Sequence, residues 1–431
     1  MHDSMPRPKD GTTVQPAGGE QPGGPIGPRT RESLAATPRG DRAMRRLLLI
    51  ALTAGIAGAT PPGGQETSGG AALSRVASVQ QMVASASVSG KPGRPSAEPV
   101  ALLGETIPPG STRRLAWAGT EQFEGVGIDT PVLVAHGADP GPVLCLTGAV
   151  HGDELNGIEI VRRVLGQLEP GALAGTVIGV PIVNIQAFRD GSRYLPDRRD
   201  LNRHFPGSPG GSAASRIAHS LFTRVVRHCD ALVDLHTGSF ERINLPQLRA
   251  ELSHAGVTAL ARGFGATVIV NSQPREGTLR AAATGAGIPT VTFEAGGPAQ
   301  LEPEQITHGV RGIRALLDTL GMVAQTRPWR DHEATYVDSS WVRADRGGIL
   351  MTAVDLGSEV RQGDLLGRLI DPITNKTTPI RAPSDGRVIG MARNQVLMPG
   401  FAAYHLGRQG QGPDDRLAPP MPDNEFSDTS E

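Results

Sequence analysis

The sequence predicts an α/β protein with a mixed, largely parallel sheet covered by helices on both faces, followed by a small C-terminal all-β domain of barrel or hammerhead type. Three observations carry this expectation. Short apolar runs at 143–150, 175–184, 231–236, 266–270 and 288–294 alternate with helical stretches at 155–168, 212–228, 255–264 and 303–320. Runs of that kind suit strands buried on both faces, which is how parallel sheets are covered. Beyond "TRPWR" the helical period stops, and residues 333–407 read as short strands punctuated by glycine turns.

Composition narrows the partners. The chain has 431 residues, 38% of them hydrophobic, and a net charge of −1. That length supports two or three domains and a real core. Near-neutrality gives no electrostatic reason for nucleic acid or an anionic membrane as partner, so small-molecule or peptide chemistry is expected. Lysine occurs only at Lys9, Lys91 and Lys376, so the cationic side chains are almost all planar arginines suited to carboxylates.

The N-terminal part reads as an extension and a targeting segment over 1–59. "MRRLLLIALTAGIAGAT", from Met44, has two arginines, an apolar run and Ala57-Gly58-Ala59 as a small-x-small site. This is the layout of a secretory signal peptide, too short to span a bilayer comfortably. It implies translation from Met44, export to the periplasm and a mature chain without an integral membrane segment. A cytoplasmic protein with an accidental "LLLIAL" is the alternative. Residues 60–100 are rich in Gly, Pro, Ser and Ala and read as a linker. An α/β catalytic domain is expected over 101–325, opening with an edge hairpin in "RRLAWAGTEQFEGVGIDTPVLVAHG". The β domain follows over 326–408, and 409–431 reads as a disordered tail. Cys145 and Cys229 are read as two small buried apolar residues, since spacing alone does not show whether they meet.

Chemistry concentrates in four segments. In "AVHGDELNGIEI", His151 and Glu154 stand three apart just after a strand, so one turn aims both the same way. Imidazole nitrogen and carboxylate oxygen are Zn²⁺ donors, and a catalytic site needs a third. "ALVDLHTG" offers His236 at a strand end, with Asp234 two residues earlier on the same face, placed to orient it. An acidic helix start would explain Asp153 and Glu154 without any metal. "SRYLPDRRDLNRHFPG", residues 192–207, is a loop with four arginines, suited to bidentate binding of a carboxylate. "IPTVTFEAGG" ends a buried strand at Glu294, where a carboxylate beside a metal site can act as general base and acid.

"GAVHGDE", "RDLNRHFPG", "DLHTG" and "FEAGG", in this order and spacing, resemble the succinylglutamate desuccinylase and aspartoacylase family, a branch of the zinc carboxypeptidase-like fold. The resemblance covers about 140–320 and extends to the C-terminal β domain. It implies one Zn²⁺ per chain held by His151, Glu154 and His236, with Glu294 activating the water. Asn202 and Arg203 match positions that hold the substrate carboxylate. Arg193 resembles the oxyanion-stabilising arginine, with Arg198 and Arg199 as its competitors. The expected reaction is hydrolysis of a small N-acyl amino acid or a related carboxylate-bearing amide.

Other histidines, including His204, His219, His228, His254 and His308, lack partners at ligand spacing, and His204 adjoins "DLNR". The C-terminal β domain has the look of biotinyl or lipoyl hammerheads, but "APSDGRV" carries no lysine for a swinging arm. It is expected to pack on the catalytic domain and narrow the site's mouth. Two other functions stay open: an exported zinc carboxypeptidase or cell-wall peptidase acting on short peptides, and a non-catalytic binder of acyl amino acids. Acyl group, amine and oligomeric state, a homo-oligomer included, are left open.

Overall fold

The computed structural model describes residues 96–410, apart from 124–125, 325–328, 330–333 and 394, together with 421–422. The expected signal segment, nearly all of the 60–100 linker and most of the tail lie outside the described residues. Among the described residues no helix is long and apolar enough to cross a membrane.

One sheet runs through the molecule. Its main strands are β1 (Ser111–Phe123), β2 (Val126–His136), β3 (Asp139–Gly148), β4 (Ala174–Val180), β5 (Ala231–His236), β6 (Arg242–Ala250), β7 (Val268–Gln273), β8 (Thr290–Gly296), β9 (Thr335–Arg343), β10 (Gly386–Ala392) and β11 (Ala402–Gln409). They lie in the order β10-β11-β9-β7-β6-β8-β5-β3-β4-β2-β1. At the centre β4, β3, β5 and β8 run parallel. β6 enters antiparallel to β8, and β7 and β9 follow it in its own direction. The sheet is therefore mixed, with a parallel core.

Helices α1 (Asn156–Gly166), α2 (Ile185–Arg189), α3 (Ala213–Arg224), α4 (Ala255–Gly263), α5 (Leu279–Gly285) and α6 (Pro303–Thr319) cover it. Side chains alternate across a strand, so each strand feeds two cores. Leu144 and Leu146 of β3 share a cluster with α1, α4 and α6, whereas Cys145 between them joins the cluster of α3 and α5. Phe293 of β8 stacks on Phe264 at 5.2 Å on the first side. Its truncation to Ala would cost about 3–5 kcal/mol. Because Phe293 is committed to that side, Glu294 beside it faces the α3 and α5 side.

Four expectations change. The run expected as a strand to residue 184 ends at Val180, and the Asn184 side chain caps α2 by accepting from Ala187 N at 3.1 Å. β6 is not among the strands expected from the sequence, because Pro246 and buried Asn244, Gln247 and Arg249 break any apolar rhythm. Cys145 and Cys229 form a disulfide across a Cα–Cα distance of 5.8 Å, which the parallel neighbours β3 and β5 make available. Met421–Pro422, in the tail expected to be disordered, pairs with β7.

The C-terminal strands do not stand apart from the main sheet. β9 extends it through β7, and β10 pairs directly with β6. A smaller sheet of Gly348–Thr352, Leu365–Ile370, Thr377–Arg381 and Val396–Leu397 packs with them.

Candidate functional site

The site lies at the C-terminal ends of β3, β5 and β8, where parallel sheets present side chains to ligands. After β3 the chain turns sharply, with Ala149 at φ +45°, and delivers His151 to the sheet edge. Gly152 follows because the loop presses on α2; a Cβ there would overlap the Ala187 backbone. Glu154 N donates to His151 O at 3.2 Å, so both side chains leave one tight turn on the same side. α1 starts only at Asn156 and has no side-chain cap. Asp153 therefore does not cap α1, and its half-buried carboxyl is pushed up by desolvation and by the charge of Glu154.

Glu154 sits between two imidazoles. Its Oε1 lies 2.8 Å from His151 Nδ1, and its Oε2 lies 2.8 Å from His236 Nδ1. One donor atom from each of the three residues falls within 4.8 Å of the others, and all three residues are buried. The cluster can hold a metal ion. The outer ring nitrogens are held as well: His236 Nε2 donates to Asp234 Oδ2 at 2.8 Å, and His151 Nε2 to Asp200 Oδ1 at 3.1 Å. Thr147 Oγ1 donates to the other oxygen of Asp234 at 2.7 Å. Two carboxylates thus fix ring orientation, leaving Nδ1 of each ring to face Glu154.

Charges follow from these contacts. Burial opposes ionisation of Glu154, but the adjacent His151 and His236 hold its carboxyl well below the usual range. Asp200 is likewise held low against burial, by His151 and Arg193. Burial also works against a charged His236, yet Asp234 and Glu154 raise it well above its ordinary value.

Glu294 on β8 stands in register with His236 on β5, so the two side chains leave neighbouring strands on the same face. Asn244 Nδ2 donates to Glu294 Oε2 at 3.1 Å, and Arg249 Nε lies 3.5 Å from Oε1. The 192–207 loop closes the other side. Arg193 donates to Glu154 Oε1 and to Asp200 Oδ2, each at 3.1 Å, while its guanidinium carbon lies 5.5 Å from the Phe240 ring centre. Asn202 Oδ1 accepts from Leu279 N at 2.8 Å, which ties the loop to the start of α5. Arg203 Nη1 donates to Asn202 O at 2.7 Å.

His151, Glu154, His236, Glu294, Arg193, Asn202 and Arg203 all line one cavity. Arg198 and Arg199 do not line it; both are exposed, and Arg199 pairs with Asp197 at 2.7 Å. His204 is also absent from its walls. Asp200, Asn244, Arg249, Arg275 and Arg280 are site residues that the sequence motifs do not single out. Asp200 stands inside "RDLNR", one residue before Leu201 and two before Asn202. Arg275, Thr278 and Arg280 belong to "REGTLR", whose Thr is the N-cap of α5 and a legible helix start. Asn244 and Arg249 lie on the hidden strand β6.

Residues 140–320 match the model of the succinylglutamate desuccinylase/aspartoacylase catalytic domain. The chain is 33% identical over 272 residues to an N-alpha-acetyl-L-2,4-diaminobutyric acid deacetylase of Halomonas elongata, covering 59% of this chain and 79% of that protein. Among solved structures it is similar to a succinylglutamate desuccinylase/aspartoacylase from Rhodobacter sphaeroides, with a TM-score of 0.62 and 26% identity over 69% of this chain and 96% of that one. It is also similar to the product-bound ectoine utilization protein EutE from Ruegeria pomeroyi, with a TM-score of 0.63 and 26% identity over 72% and 98% of the two chains.

Proposed function

This chain belongs to the succinylglutamate desuccinylase/aspartoacylase family, and on that premise we propose that it is a Zn²⁺-dependent hydrolase of the amide bond in a small N-acyl amino acid. One observation carries the reading: three buried donors lie close together, and Glu294 stands on the adjacent strand in register with His236 and lines the same cavity. Two imidazole nitrogens and a carboxylate are a Zn²⁺ donor set that leaves a coordination position open. The fit extends outward, since Asp200 and Asp234 hold the ring nitrogens that face away from the donors. A Zn²⁺ ion held by His151, Glu154 and His236 would supply Lewis-acid polarisation of a carbonyl and make a water more acidic.

The side chains perform the remaining steps. Glu294 takes the proton of the attacking water as the new C–O bond forms, and returns it to the amine nitrogen as the C–N bond breaks. Arg193, aimed by Glu154, Asp200 and Phe240, offers its N–H groups to the developing oxyanion. Arg203 and the Asn202 amide group take the substrate carboxylate. The products are a free acid and a free amino acid.

Location is part of the same reading. The signal-like segment at 44–59 and the Cys145–Cys229 disulfide each suit an oxidising compartment, so we place the mature protein outside the cytoplasm. Detection of the processed chain in the periplasmic fraction is the expected result.

The deciding experiment offers the metal-free and Zn²⁺-reconstituted protein N-acetyl and N-succinyl amino acids alongside dipeptides. Amino acid release from the acyl compounds alone, lost to chelator and restored by Zn²⁺, is expected. Release from dipeptides alone would favour the peptidase reading. Unchanged turnover in Glu294→Gln would remove the hydrolytic mechanism, and binding without turnover by any variant would leave a binder.

A further inference from the structure

Backbone strain marks the turn that lies between β5 and β6. Phe240 and Glu241 both take positive φ, +54° and +58°. Arg242 N donates to Ser239 O at 3.2 Å, so residues 239–242 close a tight turn, with both central residues left-handed as in type I′. That turn favours Asn, Asp or Gly at its centre, because a Cβ crowds the left-handed conformation. Phe and Glu stand there instead, so the surroundings must hold the turn.

The chain just after β10 supplies that hold. Gln395 Nε2 donates to the carbonyls of Phe240 and Glu241, at 3.3 and 3.1 Å, and Arg393 N donates to Glu241 O at 3.3 Å. Gln395 O accepts from Leu350 N at 3.0 Å, which fixes it to the smaller sheet. Arg242 braces the turn as well. Its Nε and Nη2 donate to the Ser239 carbonyl and hydroxyl, each at 3.0 Å. Its guanidinium carbon lies 4.9 Å from the Trp341 ring centre and 5.4 Å from that of Phe401, both in the C-terminal part. What the turn presents is the Phe240 ring, whose centre is 5.5 Å from the Arg193 guanidinium carbon and 5.9 Å from that of Arg242. Hydrogen bonds to Glu154 and Asp200 set the direction of Arg193, and the aromatic ring beside it limits its tilt.

We propose that Phe240 is a positioning residue for Arg193, carried on a strained turn that Gln395 holds in place, so that the C-terminal part of the chain sets the tilt of this guanidinium. The inference rests on Arg193 meeting the developing oxyanion. That charge exists only once the carbonyl is attacked, so a misplaced Arg193 costs turnover and leaves substrate binding alone. The three metal donors are held separately, by Asp200 and Asp234, and do not depend on the turn.

The test uses full-length, Zn²⁺-loaded protein and the N-acyl amino acid that it turns over best. Phe240→Leu keeps an apolar side chain but removes the ring, and Gln395→Ala removes the donor to the turn. Each is expected to lower kcat about tenfold, with KM within about twofold and bound Zn²⁺ retained. Phe240→Tyr, which keeps the ring, recovers most of kcat. Glu241→Gly added to Gln395→Ala does the same, because glycine adopts the left-handed conformation without support. In an Arg193→Ala background, Phe240→Leu lowers kcat no further, which a merely structural role would not produce. Folded, metal-loaded Phe240→Leu with wild-type kcat, or with the same loss whether or not Arg193 is present, overturns the proposal. Turnover retained by Arg193→Ala would instead overturn the oxyanion assignment, while ¹⁵N relaxation of the Arg193 Nε would still read whether Phe240 and Gln395 restrain the guanidinium.

Discussion

The two walls of the cavity are held by different forces. On the ligand wall, His151, Glu154 and His236 are matched charge for charge: each imidazole lies between two carboxylates, and Glu154 takes Arg193 as well. On the facing wall, Arg280 donates to the carbonyl and hydroxyl of Ser272 at 2.9 and 3.2 Å, and Arg203 to the Asn202 carbonyl. Backbone and hydroxyl oxygens help to position these guanidinium groups, and Arg203 Nη2 also lies 3.9 Å from Asp200 Oδ2. The first wall is built to fix geometry, the second to meet an anion.

Four experiments test that division. The largest effect is expected from His236→Ala, which removes a donor from the ligand wall. Bound Zn²⁺, read by elemental analysis, should fall from one per chain to near none. Turnover should fall by at least about 10³-fold, since the metal supplies several kcal/mol of charge stabilisation. Next, Asp234→Asn keeps size but weakens the orienting bond to His236; metal affinity should drop about 10- to 100-fold in a competition titration against a chelator. A smaller and different change is expected from Arg203→Ala on the facing wall: KM up about tenfold or more, kcat within about threefold, metal content unchanged. If Arg203→Ala also released the metal, the walls would be one structure rather than two.

The smallest effect is on pH dependence, and its sign sharpens the contrast. Burial opposes a charged His151, as does Arg193, yet Glu154 and Asp200 raise it above its ordinary value of 6.5; His236 is raised further by Asp234 and Glu154. Groups with raised folded pKa values stabilise the metal-free protein fully below about pH 6.5, and that stability is lost as pH rises through the folded values. Metal binding needs the deprotonated rings, so affinity should climb over the same span. Melting temperatures across pH 6–9, with and without Zn²⁺, should therefore diverge. Parallel curves would mean that the imidazoles are not the metal-linked groups.

Much of the ligand wall is legible in the amino-acid sequence alone. His151, His236 and Glu294 each end an apolar run, and strand ends are where an open sheet exposes side chains. The other wall is harder to read, because Arg275 and Arg280 reach the cavity only through the packing of α5. β6 is illegible for a physical reason: its buried positions include Asn244, Gln247 and Arg249, so the strand lacks the hydrophobic signature that marks one. The polarity that hides the strand is what supports Glu294. Arg193, Arg198 and Arg199 cannot be ranked by spacing, because loop curvature decides which of them turns inward. The disulfide is equally hidden, since only the adjacency of β3 and β5 brings residues 84 apart into reach.

That disulfide sits at the start of the paired stretch of β3 and β5, whose far ends lead to the proposed metal ligands. β3 and β5 lie side by side from Leu144–Ala231 to Gly148–Leu235, only a few rungs. A covalent pin at the base of so short a span acts like the pivot of a pair of callipers. Should the outer strands fray, the gap between the tips would still be set at the pin, and a metal ion lost to a competitor could return to a site of the same width.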